Sequence, residues 1–225
     1  KSGTTVSVSA RSADKLNDLS TRQAGIHPVP LDVTDQEAVA AAVSLMEQAH
    51  GPIDLVVLNA GLWQPAEAGV FEGEVAVQSI EVNYLGVTHA IAAVLPGMKQ
   101  RRAGQIAIVS SVAGYRGLPK SAYYGPTKTA LINLAETLQP ELAPEGIKVQ
   151  LINPGFVDTP MTKRNEFPMP FIMHVDDAVR LISKGLHSNA FEIAFPWQLV
   201  TLLKVGRVLP YRLYLWLMSR IVARF

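Results

Sequence analysis

The 225-residue sequence predicts an α/β fold with a mostly parallel sheet, and three observations carry that expectation. Apolar, β-branched runs of strand length alternate with stretches of helical period. The run Ile53–Leu58 (IDLVVL) is almost wholly apolar, as suits a strand covered by helices on both faces. Hydrophobic residues make up 48% of the chain and charged residues 17%, below the roughly 25% of an average soluble protein. Such a chain can bury a sizeable core, which argues against wholesale disorder, and its length fits one domain.

The elements follow in order. Thr4–Ala10 (TTVSVSA) alternates as a strand does, a short helix holds Leu16 and Leu19, and Ile26–Leu31 is a second strand. Thr34, with Glu37 three residues on, reads as the N-cap of a helix over 38–48 that Gly51-Pro52 stops. After Ile53–Leu58 a long helix covers about 75–101, with Pro96-Gly97 weakening its end. Gln105–Val109 is a strand, 122–143 a helix, and Ile147–Ile152 a strand. Asp176–Leu186 is a helix with two acids in its first turn, and Phe191–Phe195 is the last strand. Residues 1–195 thus read as one domain and 196–225 as a basic, amphipathic helical tail.

Charge narrows the function classes. Twenty bases and 19 acids leave a net +1, which is no footprint for nucleic acid. There is no cysteine, so disulfides, thiolate zinc and a cysteine nucleophile are excluded, in keeping with a reducing, cytoplasmic setting. The five histidines are scattered without metal-ligand spacing, and no metal site is expected.

The sharpest constellation is Ser111 followed by Tyr124-Gly-Pro-Thr-Lys128. Tyr124 and Lys128 are four apart and share a helix face. A phenol with a pKa near 10 is a poor acid–base catalyst at neutral pH, and a nearby ammonium lowers that pKa. Ser111 lies in a glycine-containing loop after a strand (IAIVSSVAG), where its hydroxyl can bind a substrate oxygen. A Tyr–Lys helix pair alone is common, so the surrounding motifs decide. Asn59-Ala60-Gly61 directly follows IDLVVL, at the end of a parallel strand where ligands bind. Asn83 is an indifferent helix former inside a predicted helix, and Pro154-Gly155 opens a loop that contains Thr159.

Together, in this order and spacing, these motifs resemble the short-chain dehydrogenase/reductase family from Gly3 to about Phe195. The resemblance implies a Rossmann-type, doubly wound sheet in three α/β/α layers, and an oxidoreductase interconverting a carbonyl and a secondary alcohol. It implies that Tyr124 transfers the proton, Lys128 lowers its pKa and holds the nicotinamide ribose, Ser111 orients the carbonyl, and Asn83 keeps a relay water. Asp32 and Val33 would flank the adenine, and Asn59, Ala60 and Gly61 would line the cofactor floor. Pro154, Gly155, Val157 and Thr159 would surround the nicotinamide. It further implies a homodimer or homotetramer built on the helices at 75–101 and 122–143. Arg11 at the end of the first strand, with no acid before Asp14, favours NADP(H), while NAD(H) stays open as a dual specificity.

The family's glycine-rich TGxxxGxG turn is absent, and Gly69-x-x-x-Gly73 is no substitute. No signal-like segment precedes Lys1, and the chain reads as beginning inside a fold. A strand and helix upstream of Gly3 are therefore expected in the natural protein, the strand lying between those at 4–10 and 53–58. Without it, two sheet edges would face an empty slot. Pro126 is tolerable near a helix start, whereas Pro140 predicts a kink near 138–141.

Met161–Met173 occupies the family's substrate-lid position, and its apolar residues suggest an apolar substrate. From Ile193 onward there are five bases and no acid. On a helical wheel Tyr211, Tyr214, Leu217, Met218, Ile221 and Phe225 gather on one arc, opposite Arg212, Arg220 and Arg224. Such a helix either lies on an anionic membrane or packs on protein. A non-catalytic nucleotide-binding or membrane-associated scaffold of the same fold is the alternative function, motivated by the missing glycine turn.

Overall fold

The computed structural model describes residues 4–66, 70–165 and 167–223. Gly3, Gly69, Arg224 and Phe225, which the sequence reading used, lie outside them. Strand β1 (Val6–Ala10) leads through helix α1 (Ala13–Arg22) to β2 (Ile26–Pro30), and α2 (Gln36–His50) leads to β3 (Leu55–Leu58). The N-cap of α2 is Asp35, whose carboxylate accepts from Ala38 N at 2.9 Å. Thr34, expected there, instead donates its hydroxyl and its N–H to Asp32. Either short polar side chain can cap, and the turn geometry selects one.

The predicted long helix is three joined pieces: α3 (Gly73–Ile80), a π turn (Glu81–Leu85) and α4 (Gly86–Arg101). Pro96 does not end α4, which runs on to Arg101 before Arg102 turns left-handed at φ 52°. Strand β4 (Gly104–Val109), α5 (Tyr124–Leu142), β5 (Ile147–Pro154), α6 (Val175–Leu186) and β6 (Glu192–Phe195) follow. Helix α5 also continues through Pro140 and ends two residues later, so the expected break coincides with its natural end. Two last helices, α7 (Trp197–Val208) and α8 (Tyr211–Val222), are separated by Leu209-Pro210.

All strand pairings are parallel, in two sheets of order β1-β2 and β3-β4-β5-β6. No described strand bridges β1 and β3. Val6, Leu55 and Val57 are consequently 40–44% exposed, as the gap expected from the sequence requires. In the larger sheet, side chains alternate between two cores. Ile106 and Ile108 of β4 join Val149 and Leu151 of β5 under α4 and α5. Ala107 and Ile152 face the opposite way, toward Ala178 of α6 and Phe195. The carboxyl ends of β4 and β5 therefore open between two covered faces, with the end of β3 beside them. Strand β3 itself is covered on one face only, not on both as the sequence suggested. An open α/β sheet binds ligands at such carboxyl ends.

Candidate active site

The site grows from those strand ends. Past β4, Ser111 has extended backbone and its Oγ accepts from Ala113 N at 3.1 Å, which closes a short 3₁₀ turn over 112–114. That turn lies directly on α5. A Cβ built on Gly114 would stand 2.8 Å from the Lys128 carbonyl carbon and oxygen, so only glycine permits the approach. Thr129 Oγ1 donates to Gly114 O at 2.9 Å and Ser110 Oγ to Lys128 O at 2.7 Å, and these bonds fix the loop to the helix. Tyr124 opens α5 and Lys128 follows one turn later, with Pro126 in the first turn where its missing N–H costs nothing.

Ser111 Oγ donates toward Pro154 O at 3.4 Å, linking the ends of β4 and β5, and its hydroxyl lies by the Tyr124 phenol at the start of α5. Lys128 Nζ donates to Val109 O at 2.9 Å and sits 5.4 Å from the centre of the Tyr124 ring. Burial governs both titrating groups. It pushes the Tyr124 phenol up to about 12, opposed by the Ser111 hydrogen bond, and pushes the Lys128 ammonium down to about 8. The lowering of the tyrosine pKa by lysine that the sequence suggested is thus not the dominant effect here. Desolvation outweighs an ammonium that points at a carbonyl.

Asn83 is fully buried in the π turn. Its Oδ1 accepts from Leu62 N at 2.6 Å, and its Nδ2 donates to Leu62 O at 2.8 Å and Thr127 Oγ1 at 3.1 Å. It therefore ties the Asn59–Leu62 turn to α5. A Cβ on Gly61 would lie 3.7 Å from both Asn83 Oδ1 and Lys128 Nζ, so these two polar atoms converge on the bare glycine.

Ser111, Tyr124, Lys128, Asn59, Gly61, Pro154, Gly155, Val157 and Thr159 all line one cavity of about 1010 Å³. Five expected residues do not, Asn83 among them because it is fully buried behind the cavity wall. Ala60 stands exposed beside Asn59, and Arg11, Asp32 and Val33 lie at the carboxyl ends of β1 and β2. Thr34, through its N–H and then its hydroxyl, holds the Asp32 carboxyl below its usual range, and the Arg11 guanidinium adds to this. Val33 packs onto the start of α4, where a Cβ on Gly86 would meet its side chain at 2.6 Å. Among the described residues no group of acids and histidines could hold a metal ion.

The residues present fit the nicotinamide half of a dinucleotide. Asn59, Gly61 and Lys128 form a polar end of an otherwise apolar cavity, and the Gly61 backbone is open to close approach. The pyrophosphate turn expected of a Rossmann site is not found among the described residues.

Sequence reasoning missed the network behind β5. Asn153, fully buried, donates to Glu192 Oε1 at 2.7 Å, and Tyr115 and Lys204 bond the same carboxylate. Burial pushes the Glu192 carboxyl up, but those donors outweigh it and hold it below its usual range. The network fixes the strand end that carries Pro154 and Gly155. Also missed was the far wall of the cavity, which α7 and α8 supply through Leu202, Leu203, Leu217, Met218 and Ile221. The helical period of 197–208 was its available signal. Arg116 anchors this wall: it donates to Gly206 O and Leu209 O at 2.6 and 2.7 Å and stacks 3.9 Å from the Tyr214 ring.

The family profile described as short chain dehydrogenase matches residues 1–168. An uncharacterized oxidoreductase of Myxococcus xanthus is 39% identical over 189 residues, which cover 84% of this chain and 75% of that protein. Another from Staphylococcus haemolyticus is 34% identical over 169 residues, covering 74% and 73%. Among solved structures, a short-chain dehydrogenase from Streptomyces avermitilis superposes with a TM-score of 0.81 over 98% of this chain and 89% of its own. At 24% identity it speaks to the fold alone. A short chain dehydrogenase from Burkholderia cenocepacia, solved in complex with NADP, reaches 0.76 at 28% identity, covering 90% and 85%.

Proposed function

The chain belongs to the short-chain dehydrogenase family, and from that premise we propose an NADP(H)-dependent reductase of an apolar carbonyl, working reversibly on the secondary alcohol. The convergence of Ser111, Tyr124 and Lys128 in one cavity with Asn59 and Gly155 carries the reading. Bound NADPH supplies the hydride to the carbonyl carbon. Tyr124 gives its phenolic proton to the carbonyl oxygen, which Ser111 Oγ orients. Burial keeps the Tyr124 phenol protonated throughout the neutral range, so the proton is in place for transfer in this direction. Lys128 stabilises the phenolate left behind and holds the ribose hydroxyls. Asn83 positions the Leu62 turn, and a lone pair on its Oδ1 remains for a water that returns the proton.

NADP(H) rather than NAD(H) is supported by Arg11 at the end of β1 and by NADP in the related Burkholderia structure. Asp32, Val33 and Ala60 complete the adenine side, and Pro154, Gly155, Val157 and Thr159 the nicotinamide side. Exposed Val77, Ile80 and Leu85 favour a homo-oligomer through α3–α4, with α5 beside them. The cysteine-free chain suits the cytoplasm, and no described helix is long and apolar enough to cross a membrane. A peripheral membrane contact through 196–225 is compatible with this.

NADPH oxidation measured against a panel of aldehydes, ketones and long-chain carbonyls tests the reading. Turnover of at least one apolar carbonyl is expected, with Arg11→Ala raising KM for NADPH and not for NADH. Nicotinamide binding with no turnover of any carbonyl would favour the scaffold alternative.

A further inference from the structure

The polar end of the cavity has its chemistry assigned; the opposite end has no polar chemistry. There Val179 and Ile182 of α6, Leu203 of α7 and Leu217 and Met218 of α8 face one another. Tyr214 also lines the cavity, and its hydroxyl is tied to Gly117 O at 2.6 Å. At about 1010 Å³ the cavity stands at the top of the usual range for small-molecule sites, roughly 300–1,000 Å³. Five of its large apolar lining residues, Val175 and Val179 of α6, Leu202 and Val205 of α7 and Ile221 of α8, are 40–61% exposed, so the cavity opens to the outside across an apolar rim that includes α7 and α8.

The surface around that opening is unusual for one bathed in water. Trp197, Val208, Leu215 and Trp216 are each more than half exposed. Arg207, Arg212 and Arg220 stand among them, Arg220 stacking 5.0 Å from the Trp216 ring. Lys204 is paired with Glu192, and no acid occurs from Ile193 to the end of the chain. The apolar arc of α8 lines the cavity through Tyr214, Leu217 and Met218, while Trp216 of α8 and Trp197 of α7 are exposed. Exposed tryptophans together with arginines match the headgroup layer of an anionic bilayer, where apolar rings and cations are both satisfied. A second copy fits poorly. A twofold contact would set this patch against itself, with its arginines facing arginines and no acid of the tail to offset them.

Resting on the reductase reading above, we propose that α7 and α8 dock on an anionic membrane and that the substrate is a long-chain lipid carbonyl drawn from it. The chain enters through the gap between the two helices, and its carbonyl reaches Ser111 and Tyr124 at the inner end.

Two measurements on the full chain test this. The first is flotation with phosphatidylcholine vesicles with and without phosphatidylserine. Binding is expected only to the anionic vesicles and should weaken with salt. Arg212→Gln and Arg220→Gln should each lower the partition about fivefold, from about 1 kcal/mol per surface cation. Both variants should still reduce a short water-soluble ketone. Tyr124→Phe should float like wild type while inactive, which separates docking from catalysis. The second is KM along a series of n-alkyl ketones, expected to fall about fourfold per added methylene until the cavity is filled.

Equal partition into both vesicle types, or into neither, overturns the docking. So does a dimer that Trp216→Glu dissociates in the absence of vesicle binding, since a second copy then covers the face. A KM indifferent to chain length overturns the lipid substrate while the reductase reading stands. Vesicle binding without turnover of any carbonyl overturns the reductase reading and the substrate class together, and leaves the docking surface.

Discussion

The two sheets of this protein are built to different standards. In the four-stranded sheet, Ile106, Ile108 and Leu151 are at most 2% exposed, and both faces carry a core. In the two-stranded sheet no strand residue is buried, and α1, which packs on it, buries only Leu16. The groups proposed to transfer the proton all belong to the first sheet and its helices, while Arg11 and Asp32 belong to the second. The proposed general acid catalysis needs the tyrosine, serine and lysine in fixed positions, and a close-packed core fixes the elements that carry them. An exposed guanidinium that meets a phosphate needs charge more than tight packing.

The sharpest way to break this comparison is at Tyr124. Tyr124→Phe should lower turnover about a thousandfold, within the range of a lost general acid, with NADPH affinity unchanged by fluorescence titration. Activity within tenfold of wild type would show that the proton comes from elsewhere.

Next in size is the contrast in packing. Ile106→Ala leaves a cavity in the main core and should cost about 2–5 kcal/mol in urea unfolding. Val6→Ala, on an exposed strand edge, should cost less than about 1 kcal/mol. Equal losses would mean that the two sheets share one core after all.

Lys128 is where function opposes stability. Burial lowers its pKa from 10.5 to about 8, so between those values the unfolded chain binds a proton that the folded chain does not. Wild-type stability therefore rises with pH across that window, and the charging penalty is fully present below about 8. Lys128→Met should abolish turnover yet gain on the order of 2 kcal/mol at pH 7, a gain that fades toward pH 10.5. A destabilised variant at pH 7 would show that the bond to Val109 O outweighs desolvation.

The smallest effect expected is at Arg116. Removing its hold on the end of α7 and on Tyr214 with Arg116→Ala should raise KM for a long-chain ketone about fivefold, as a lost cation–π contact suggests. Turnover of a short ketone should be unaffected, and Arg116→Lys should recover part of the loss. A uniform fall in kcat would place Arg116 nearer the chemistry.

Much of this was open to a reader of the residues. Tyr124 and Lys128 share a helix face because the helical period puts them there, and IDLVVL is a strand because nothing else suits so apolar a short run. The gap between β1 and β3 was foreseeable from a missing glycine turn. Local competitions were less open. Thr34 and Asp35 are both competent caps, and Pro96 was expected to weaken a helix end and Pro140 to kink a helix; in the folded chain α4 runs five residues past Pro96 and α5 only two past Pro140. Asn83 was conspicuous inside a helix, but the π turn that aims it at Leu62 left no periodic trace.

Strand order along the chain, the acid–base residue types and the basic tail are local or compositional properties, and the amino acids alone specify them. The balance of burial and charge at Tyr124 and Lys128, and the use of α7 and α8 as a wall of the cavity, depend on which segments meet. Desolvation is a property of the surrounding protein and not of the residue, and Arg116 meets Gly206 across 90 residues of sequence.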